Sequence, residues 1–166
     1  MTDSLGVTSF VRDFVYSNAS QVQMFLPAIV FLIGCFLAFA TGTSWGTFGM
    51  LIPIVQSVFP MDNPLSVVCI SACMAGAVCG DHCSPISDTT IMASAGAQCD
   101  HVQHVSTQLP YAITVAAVSF VSYLIAGFIP NAFIALPIAF VLMFLTLLAI
   151  RMKQIRRNRN RVTCGV

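Results

Sequence analysis

The sequence predicts an all-α transmembrane protein, and three observations lead to that fold class. Charged residues make up 8% of the 166-residue chain, against roughly 25% in ordinary globular proteins, and hydrophobic residues make up 57%. No Asp, Glu, Lys or Arg occurs between Asp13 and Asp62 or between Asp100 and Arg151. Long parts of these stretches lack a polar face at helical spacing, which excludes a soluble helical bundle. Most of the surface must therefore face lipid or other protein.

The first membrane element follows a mildly amphipathic or loop segment, residues 1–20. An apolar stretch at 24–40 is just long enough to cross the hydrocarbon. A polar break at 41–47 separates it from a second apolar stretch, 48–59, which is short for a full span. Two arrangements stay open: a re-entrant hairpin with its tip at the break, or a span followed by a partial span.

The third apolar stretch, 65–78, is interrupted by a polar break at 80–90 and completed by a short apolar piece at 91–97. A polar loop, 99–106, follows. Two regular transmembrane helices are predicted after it, at about 109–128 and 132–150. The three residues between them allow only a tight turn, so these two helices are antiparallel neighbours.

The end of the chain is basic, since six of the seven Lys and Arg residues lie within 151–166. A basic cluster directly after an apolar helix is typical of a cytoplasmic tail. This reading is preferred to nucleic-acid binding, and no nucleic-acid partner is expected. The predicted organisation is an N-terminal segment (1–20), a membrane domain (21–150) and a basic cytoplasmic tail (151–166). The N-terminus shows no cleavable signal peptide.

The break at 80–90 contains two aspartates, Asp81 and Asp88, which share a face if the region is helical. Each carboxylate costs roughly 2.5–3.5 kcal/mol inside a membrane, so a functional reason is expected. The neighbouring hydroxyl groups are hard oxygen ligands, which suit a cation such as sodium. A poorly solvated carboxyl group also holds a proton more readily and can release it when a cation binds. The break thus has the chemistry of cation/proton exchange.

Helix capping is the simpler explanation of parts of this break. Ser84 followed by Pro85 is typical of an N-cap with proline at the first helical position. Asp88 can similarly cap a helix that starts at Thr89. Capping does not account for two aspartates in one break, so an ion or proton role is preferred for at least one. His82 is either a proton relay or a satisfied polar neighbour, and both readings stay open.

The break at 41–47 offers uncharged oxygens from Thr43, Ser44 and Thr47. Close helix packing of small residues is the alternative reading for Gly42 and Gly46. The density of hydroxyl groups favours a loop that faces the ion or the substrate.

The seven cysteines of the chain predict neither disulfides nor a structural zinc site. Cys35, Cys69, Cys73 and Cys79 lie in apolar segments, where free cysteine behaves as a small hydrophobe. The cysteine and histidine spacings do not match zinc-binding patterns. No pair of nucleophile and base is visible, so we expect no enzyme and no cofactor.

Two strings in these breaks resemble one family. Residues 40–47 (ATGTSWGT) and 80–90 (GDHCSPISDTT) are similar to the C-terminal half of NhaC-type sodium/proton antiporters. The stretches Asp100-His101 and 107–111 (TQLPY) resemble the same family. The likeness covers roughly residues 20–150.

The resemblance implies an ion-transporter fold of two inverted repeats that exchanges sodium for protons across a bacterial inner membrane. Some members of the family couple sodium to malate or lactate, so an organic-anion antiporter is the alternative. Asp81 and Asp88 would alternately carry the proton and the sodium ion. The residues that the resemblance assigns to the cation site are Asp81, Ser84, Ser87, Asp88 and Thr89, with Thr43, Ser44 and Thr47 opposite them.

The chain carries a single GD-x-x-SP-x-SDTT string, whereas family members carry a related motif in each half. It therefore resembles one half of a transporter: a truncated gene, a split gene or a fragment. The expected partners are the lipid bilayer and either an N-terminal half or further copies of the chain. A non-transporting remnant or accessory subunit is the remaining alternative.

Overall fold

A computed structural model describes residues 21–59, 63–129 and 131–163, and the secondary structure in these ranges is helical. This confirms the predicted all-α fold class. The predicted N-terminal segment, 1–20, lies outside the described residues. The six helices in the described ranges are α1 (Gln21–Thr41), α2 (Ser44–Val58), α3 (Pro64–Cys83), α4 (Asp88–Gly96), α5 (His101–Phe128) and α6 (Ala132–Thr163).

Four of these helices are long and apolar enough to cross a membrane, namely α1, α3, α5 and α6. Helix α2 has 15 residues and is therefore about 22 Å long, less than the roughly 30 Å of hydrocarbon in a bilayer. In α6, no residue of the span Phe133–Lys153 is buried within the protein. Its apolar side chains must therefore be covered by lipid or by another protein.

Helices α1 and α3 run parallel, with their backbones in direct contact. A Cβ atom placed on Gly76 would lie 2.2 Å from the carbonyl oxygen of Phe31, and one on Gly80 would lie 2.0 Å from that of Cys35. Only glycine permits so close an approach. The contact pairs advance in the same direction along both helices, which defines their parallel arrangement.

Helix α2 returns antiparallel to α1. Val55 and Val58, at its C-terminal end, lie in one buried cluster against Leu26 and Val30, near the start of α1. The reversal occurs at Gly42, whose φ of +67° lies in the left-handed region that glycine adopts readily. Of the two predicted arrangements, a span followed by a partial span fits these helix lengths.

The break after α3 is shorter than predicted. Helix α3 continues through Gly80 to Cys83 because Gly80 packs on α1, and the chain leaves the helix only at 84–87. The expectation that Ser84 caps a following helix is wrong, because Ser84 is the C-cap of α3. The helix ends there because Pro85 disfavours helical geometry at the residue before it. Ser87 rather than Asp88 caps α4, and its hydroxyl accepts the N–H of Thr89.

The prediction of a polar loop at 99–106 is also wrong, because α5 begins at His101. The Asp100 side chain accepts the N–H of Gln103 at 2.9 Å and so caps the helix eight residues before the predicted start at Leu109. Only three residues separate α5 from α6. Side chains of both helices, among them Ala126 and Ala135, line one cavity, which fits the predicted antiparallel arrangement.

The two breaks meet at one end of the helix assembly. A Cβ atom on Gly42 would lie 2.9 Å from the carbonyl oxygen of Ile86. The start of α5 reaches the same place, since the ring Nε2 of His101 lies 2.7 Å from the carbonyl oxygen of Pro85. The α1–α2 turn, the connection 84–87 and the N-terminus of α5 therefore form one structural unit.

Replacing Gly80 with alanine tests the close packing of α1 on α3. The added Cβ would meet the Cys35 carbonyl at 2.0 Å, so the helices must separate, at a cost of about 1–3 kcal/mol. We expect a lower midpoint when the protein in detergent is unfolded by denaturant and followed by circular dichroism.

Gly49→Ala is the matched control, because a Cβ atom at Gly49 would meet nothing within 4 Å. Alanine has the higher helix propensity, so this variant should be as stable as the wild type or slightly more stable. An unchanged midpoint for Gly80→Ala would contradict the backbone contact between the helices.

Candidate cation site

Asp81 is the centre of the candidate site. Its side chain is 4% exposed and lies in the last turn of α3. The Ser87 hydroxyl donates to Asp81 Oδ1 at 2.6 Å, a short bond of the kind that a charged acceptor makes. The hydroxyl groups of Ser44 and Thr89 each lie 3.4 Å from Asp81 Oδ2.

The two carboxylate oxygens of Asp81 differ in their hydrogen bonding. The Ser87 hydroxyl has one hydrogen, which Oδ1 receives, so the 2.7 Å contact between Ser87 and Thr89 is donated by Thr89. The Thr89 hydrogen is then not available to Oδ2, which is left with the long contact from Ser44. Oδ2 thus keeps lone pairs that can take a proton or a cation.

The long central part of the chain supplies no lysine or arginine to pair with the Asp81 carboxylate. Between Arg12 and Arg151 the sequence contains neither lysine nor arginine. A buried carboxylate without an opposite charge is costly, and a bound proton or cation removes that cost. Ser44 and Ser87 lie at the N-terminal ends of α2 and α4, so the positive ends of two helix dipoles lie near the Asp81 side chain.

The structure brings three of the predicted hydroxyl groups to Asp81: those of Ser44, Ser87 and Thr89. Ser84 is fully buried beside them, and its hydroxyl accepts the N–H of Ile86 at 3.4 Å. The other two predicted residues contribute differently. Thr43 is exposed, and the buried Thr47 hydroxyl donates to the Thr43 carbonyl at 2.9 Å, where it stabilises the first turn of α2.

Asp88 and His82 lie outside the hydroxyl cluster. Asp88 is exposed in the first turn of α4, where a carboxylate is favourable at the positive end of the helix dipole. Because α3 ends between the two aspartates, Asp81 and Asp88 do not share a helix face. His82 is exposed, and its Nδ1 contacts the Val78 carbonyl oxygen of its own helix at 2.9 Å.

His101 contacts the site from α5 and was not among the predicted site residues. Its ring lies between the Pro85 carbonyl and the Ser94 hydroxyl. A signal was available in the sequence: an aspartate directly before His101 and a polar residue three positions later are typical of a helix start.

The other candidate ligands do not converge. Six cysteines in the described ranges are free thiols. In the part of the chain that the structure describes, no group of three or more His, Cys, Asp or Glu side chains is placed to hold a metal ion. Among the described residues, Asp81 is therefore surrounded by hydroxyl oxygens rather than by further carboxylates, and such hard oxygen donors suit hard cations.

Comparison with known proteins identifies the family of the chain. The Na+/H+ antiporter family matches residues 1–128. A Haemophilus influenzae protein without an assigned activity is 56% identical over 107 residues, which cover 64% of this chain and 21% of that protein.

The relatives that are named for a transport activity include two bacterial antiporters. The malate-2H(+)/Na(+)-lactate antiporter of Bacillus subtilis is 31% identical over 120 residues, which cover 71% of this chain and 25% of the relative. A Na(+)/H(+) antiporter of Haemophilus influenzae is 35% identical over 118 residues, which cover 68% of this chain and 23% of the relative.

The chain spans about a fifth to a quarter of the length of the curated relatives it matches. No solved structure matches it. The family match extends over the α1–α2 turn, Asp81 and its hydroxyl donors, and α5. Together with the four membrane-length helices, it confirms the resemblance that the two break motifs indicated: the chain is a multi-pass membrane protein of the Na+/H+ antiporter family.

Proposed function

We propose that this chain forms part of the C-terminal half of a sodium/proton antiporter and that Asp81 binds the exchanged ions. The observation that carries the proposal is the burial of Asp81 among three hydroxyl groups, in a chain that supplies no lysine or arginine between Arg12 and Arg151. Such a carboxylate requires a proton or a cation for neutrality.

The exchange follows from competition at one carboxyl group. When Asp81 is protonated, a sodium ion that enters displaces the proton, and the carboxylate with its hydroxyl neighbours then holds the ion. When sodium leaves, a proton returns to the carboxylate. Because the two ions exclude each other, sodium movement in one direction is coupled to proton movement in the other. Sodium and protons are thus the transported substrates, and neither a cofactor nor catalysis is involved.

The remaining predicted residues have supporting parts in this proposal. Ser44, Ser87 and Thr89 supply oxygen ligands, and Ser84 lies beside them in the connection. The exposed carboxylate of Asp88 and the ring of His82 attract and relay cations or protons on the way to Asp81. Thr43 and Thr47 hold the first turn of α2, so they position Ser44.

Alternating access would come from movement of the broken elements. Helices α2 and α4 are short and begin at the Gly42 turn and at the connection 84–87, whereas α5 and α6 are continuous. Helices that end near a bound ion are typical of secondary transporters. We propose that α2 and α4 move against α5 and α6, which form the scaffold.

The basic tail supports a cytoplasmic C-terminus by the positive-inside rule. Since α6 runs antiparallel to α5, and α5 starts beside the connection 84–87, the site then lies toward the cytoplasmic end of the helices. The bacterial relatives support a location in the bacterial inner membrane.

The transporting assembly needs more than this chain. The curated relatives are about four to five times longer than the regions they share with it. The fully open outer side of α6 and the long Oδ2 contacts of Asp81 both leave room for further protein. We propose that an N-terminal half, or further copies of this chain, completes the site within the bilayer.

A sodium-coupled organic-anion antiporter is the second candidate function. The Bacillus subtilis relative, which exchanges malate and protons for sodium and lactate according to its name, supports this alternative. The cation chemistry at Asp81 would be the same in both cases. A non-transporting remnant or accessory subunit is the outcome if neither activity is present.

Replacing Asp81 with asparagine tests the ion site. Asparagine keeps the size and a hydrogen-bonding oxygen but cannot hold the exchanged proton, so sodium-dependent collapse of a pH gradient in vesicles should fall to background. The assay uses the chain in its assembled form, with the N-terminal half added where the chain alone is inactive.

Asp88→Asn provides the comparison, because the Asp88 side chain is exposed and outside the hydroxyl cluster. It should retain measurable exchange with weaker apparent sodium affinity. Full loss in Asp88→Asn with activity kept in Asp81→Asn would reverse the assignment of the two aspartates. Lactate- or malate-dependent sodium uptake in the same vesicles distinguishes the second candidate function.

Ser87→Ala tests the short hydrogen bond to Asp81. Loss of a bond to a charged acceptor costs about 1.5–3 kcal/mol, so the sodium concentration at half-maximal rate should rise by at least tenfold. Ser106→Ala is the control, since that exposed hydroxyl donates only to the carbonyl of Val102 in its own helix. Equal sodium dependence in both variants would remove Ser87 from the site.

A further inference from the structure

The connection 84–87 is held weakly by its own backbone. Two of its local hydrogen bonds are long: Ser87 N–H to the Ser84 carbonyl at 3.4 Å, and Ile86 N–H to the Ser84 hydroxyl at 3.4 Å. Both are beyond the usual range of 2.7–3.2 Å for strong bonds. The connection nevertheless carries Ser87, whose hydroxyl must be placed within 2.6 Å of Asp81 Oδ1.

His101 supplies a short bond to this connection from another helix. Its Nε2 lies 2.7 Å from the Pro85 carbonyl oxygen. A carbonyl oxygen only accepts, so Nε2 carries the hydrogen and donates it. Pro85 precedes Ser87 by two residues, so this bond fixes the backbone that presents the Ser87 hydroxyl to Asp81.

The ring of His101 is itself fixed. Its Nδ1 lies 3.0 Å from the hydroxyl of Ser94, which is 3% exposed and also lies 2.9 Å from the Ile91 carbonyl. His101 is the first residue of α5, whose start is capped by Asp100. The ring therefore joins the connection 84–87, α4 and α5.

We propose that His101 is a positioning residue for the cation site, which rests on the proposed function of Asp81. The connection is then clamped at two points. The His101 ring bonds to the Pro85 carbonyl, and the backbone of the Gly42 turn touches Ile86. With the clamp in place, the Ser87 hydroxyl stays at Asp81. Without it, the connection moves and sodium binding weakens, while the carboxylate itself remains intact.

Three variants separate the hydrogen bond from the bulk of the ring. His101→Leu removes both bonds. His101→Gln keeps an N–H donor that reaches about as far as Nε2 and should restore the bond to Pro85. His104→Leu is the matched control, since it removes a half-buried histidine from the first turns of the same helix.

The first measurement is amide hydrogen exchange at Ser84, Ile86 and Ser87 in the full chain, which needs no transport activity. We expect exchange to be about 3- to 10-fold faster in His101→Leu, as the loss of one hydrogen bond predicts. Exchange in His101→Gln should be near wild type, and exchange in His104→Leu should be unchanged. Circular dichroism confirms that each variant is folded.

The second measurement is the sodium dependence of exchange in vesicles. His101→Leu should raise the half-maximal sodium concentration about 3- to 10-fold with a smaller change in maximal rate, and His101→Gln should restore it. Unchanged amide exchange in His101→Leu, or a glutamine variant as impaired as leucine in both measurements, would overturn the proposal. Faster amide exchange in His101→Leu, when the wild-type protein moves no sodium even in its assembled form, supports the clamp and contradicts only the proposed function.

Discussion

The buried carboxylate of Asp81 is the constraint on which the arrangement of the surrounding elements depends. A charge removed from water must be compensated within the protein or by an ion. Compensation here comes from hydroxyl groups on two short helices, α2 and α4, which begin beside Asp81. These helices can begin there only because the chain turns at Gly42 and at the connection 84–87. The breaks in the membrane helices are therefore what allows polar groups to reach the carboxylate.

Close packing of α1 on α3 makes this arrangement possible. The backbones touch at Gly76 and Gly80, so α3 continues straight to the turn that carries Asp81. The same contact keeps the Gly42 turn at the end of α1 level with the connection after α3. A larger residue at Gly80 would separate these two turns as well as the two helices. Helix packing and site geometry therefore depend on the same glycine.

Composition was sufficient to predict the fold class, and the two break motifs were sufficient to predict the family. The length of the apolar stretches alone identified α1, α3 and α6, because a helix that crosses the hydrocarbon needs a long run of apolar side chains. The limits of the breaks could not be predicted in the same way. Gly80 looked like the start of a break, since its contact with Cys35 comes from a distant part of the chain. The first turns of α5 are polar and so have the composition of a loop. They are helical nevertheless, because the Asp100 side chain caps the helix.

The same distinction applies to the candidate site. The sequence indicated which residue types could bind a cation, and three of those hydroxyl groups do surround Asp81. It could not rank Asp81 above Asp88, because burial depends on which helix end each aspartate occupies. Asp81 lies on α3 before the connection and is buried, whereas Asp88 follows the connection and is exposed. Four residues that lack regular helix geometry thus separate the buried carboxylate, which needs a counter-ion, from the exposed one.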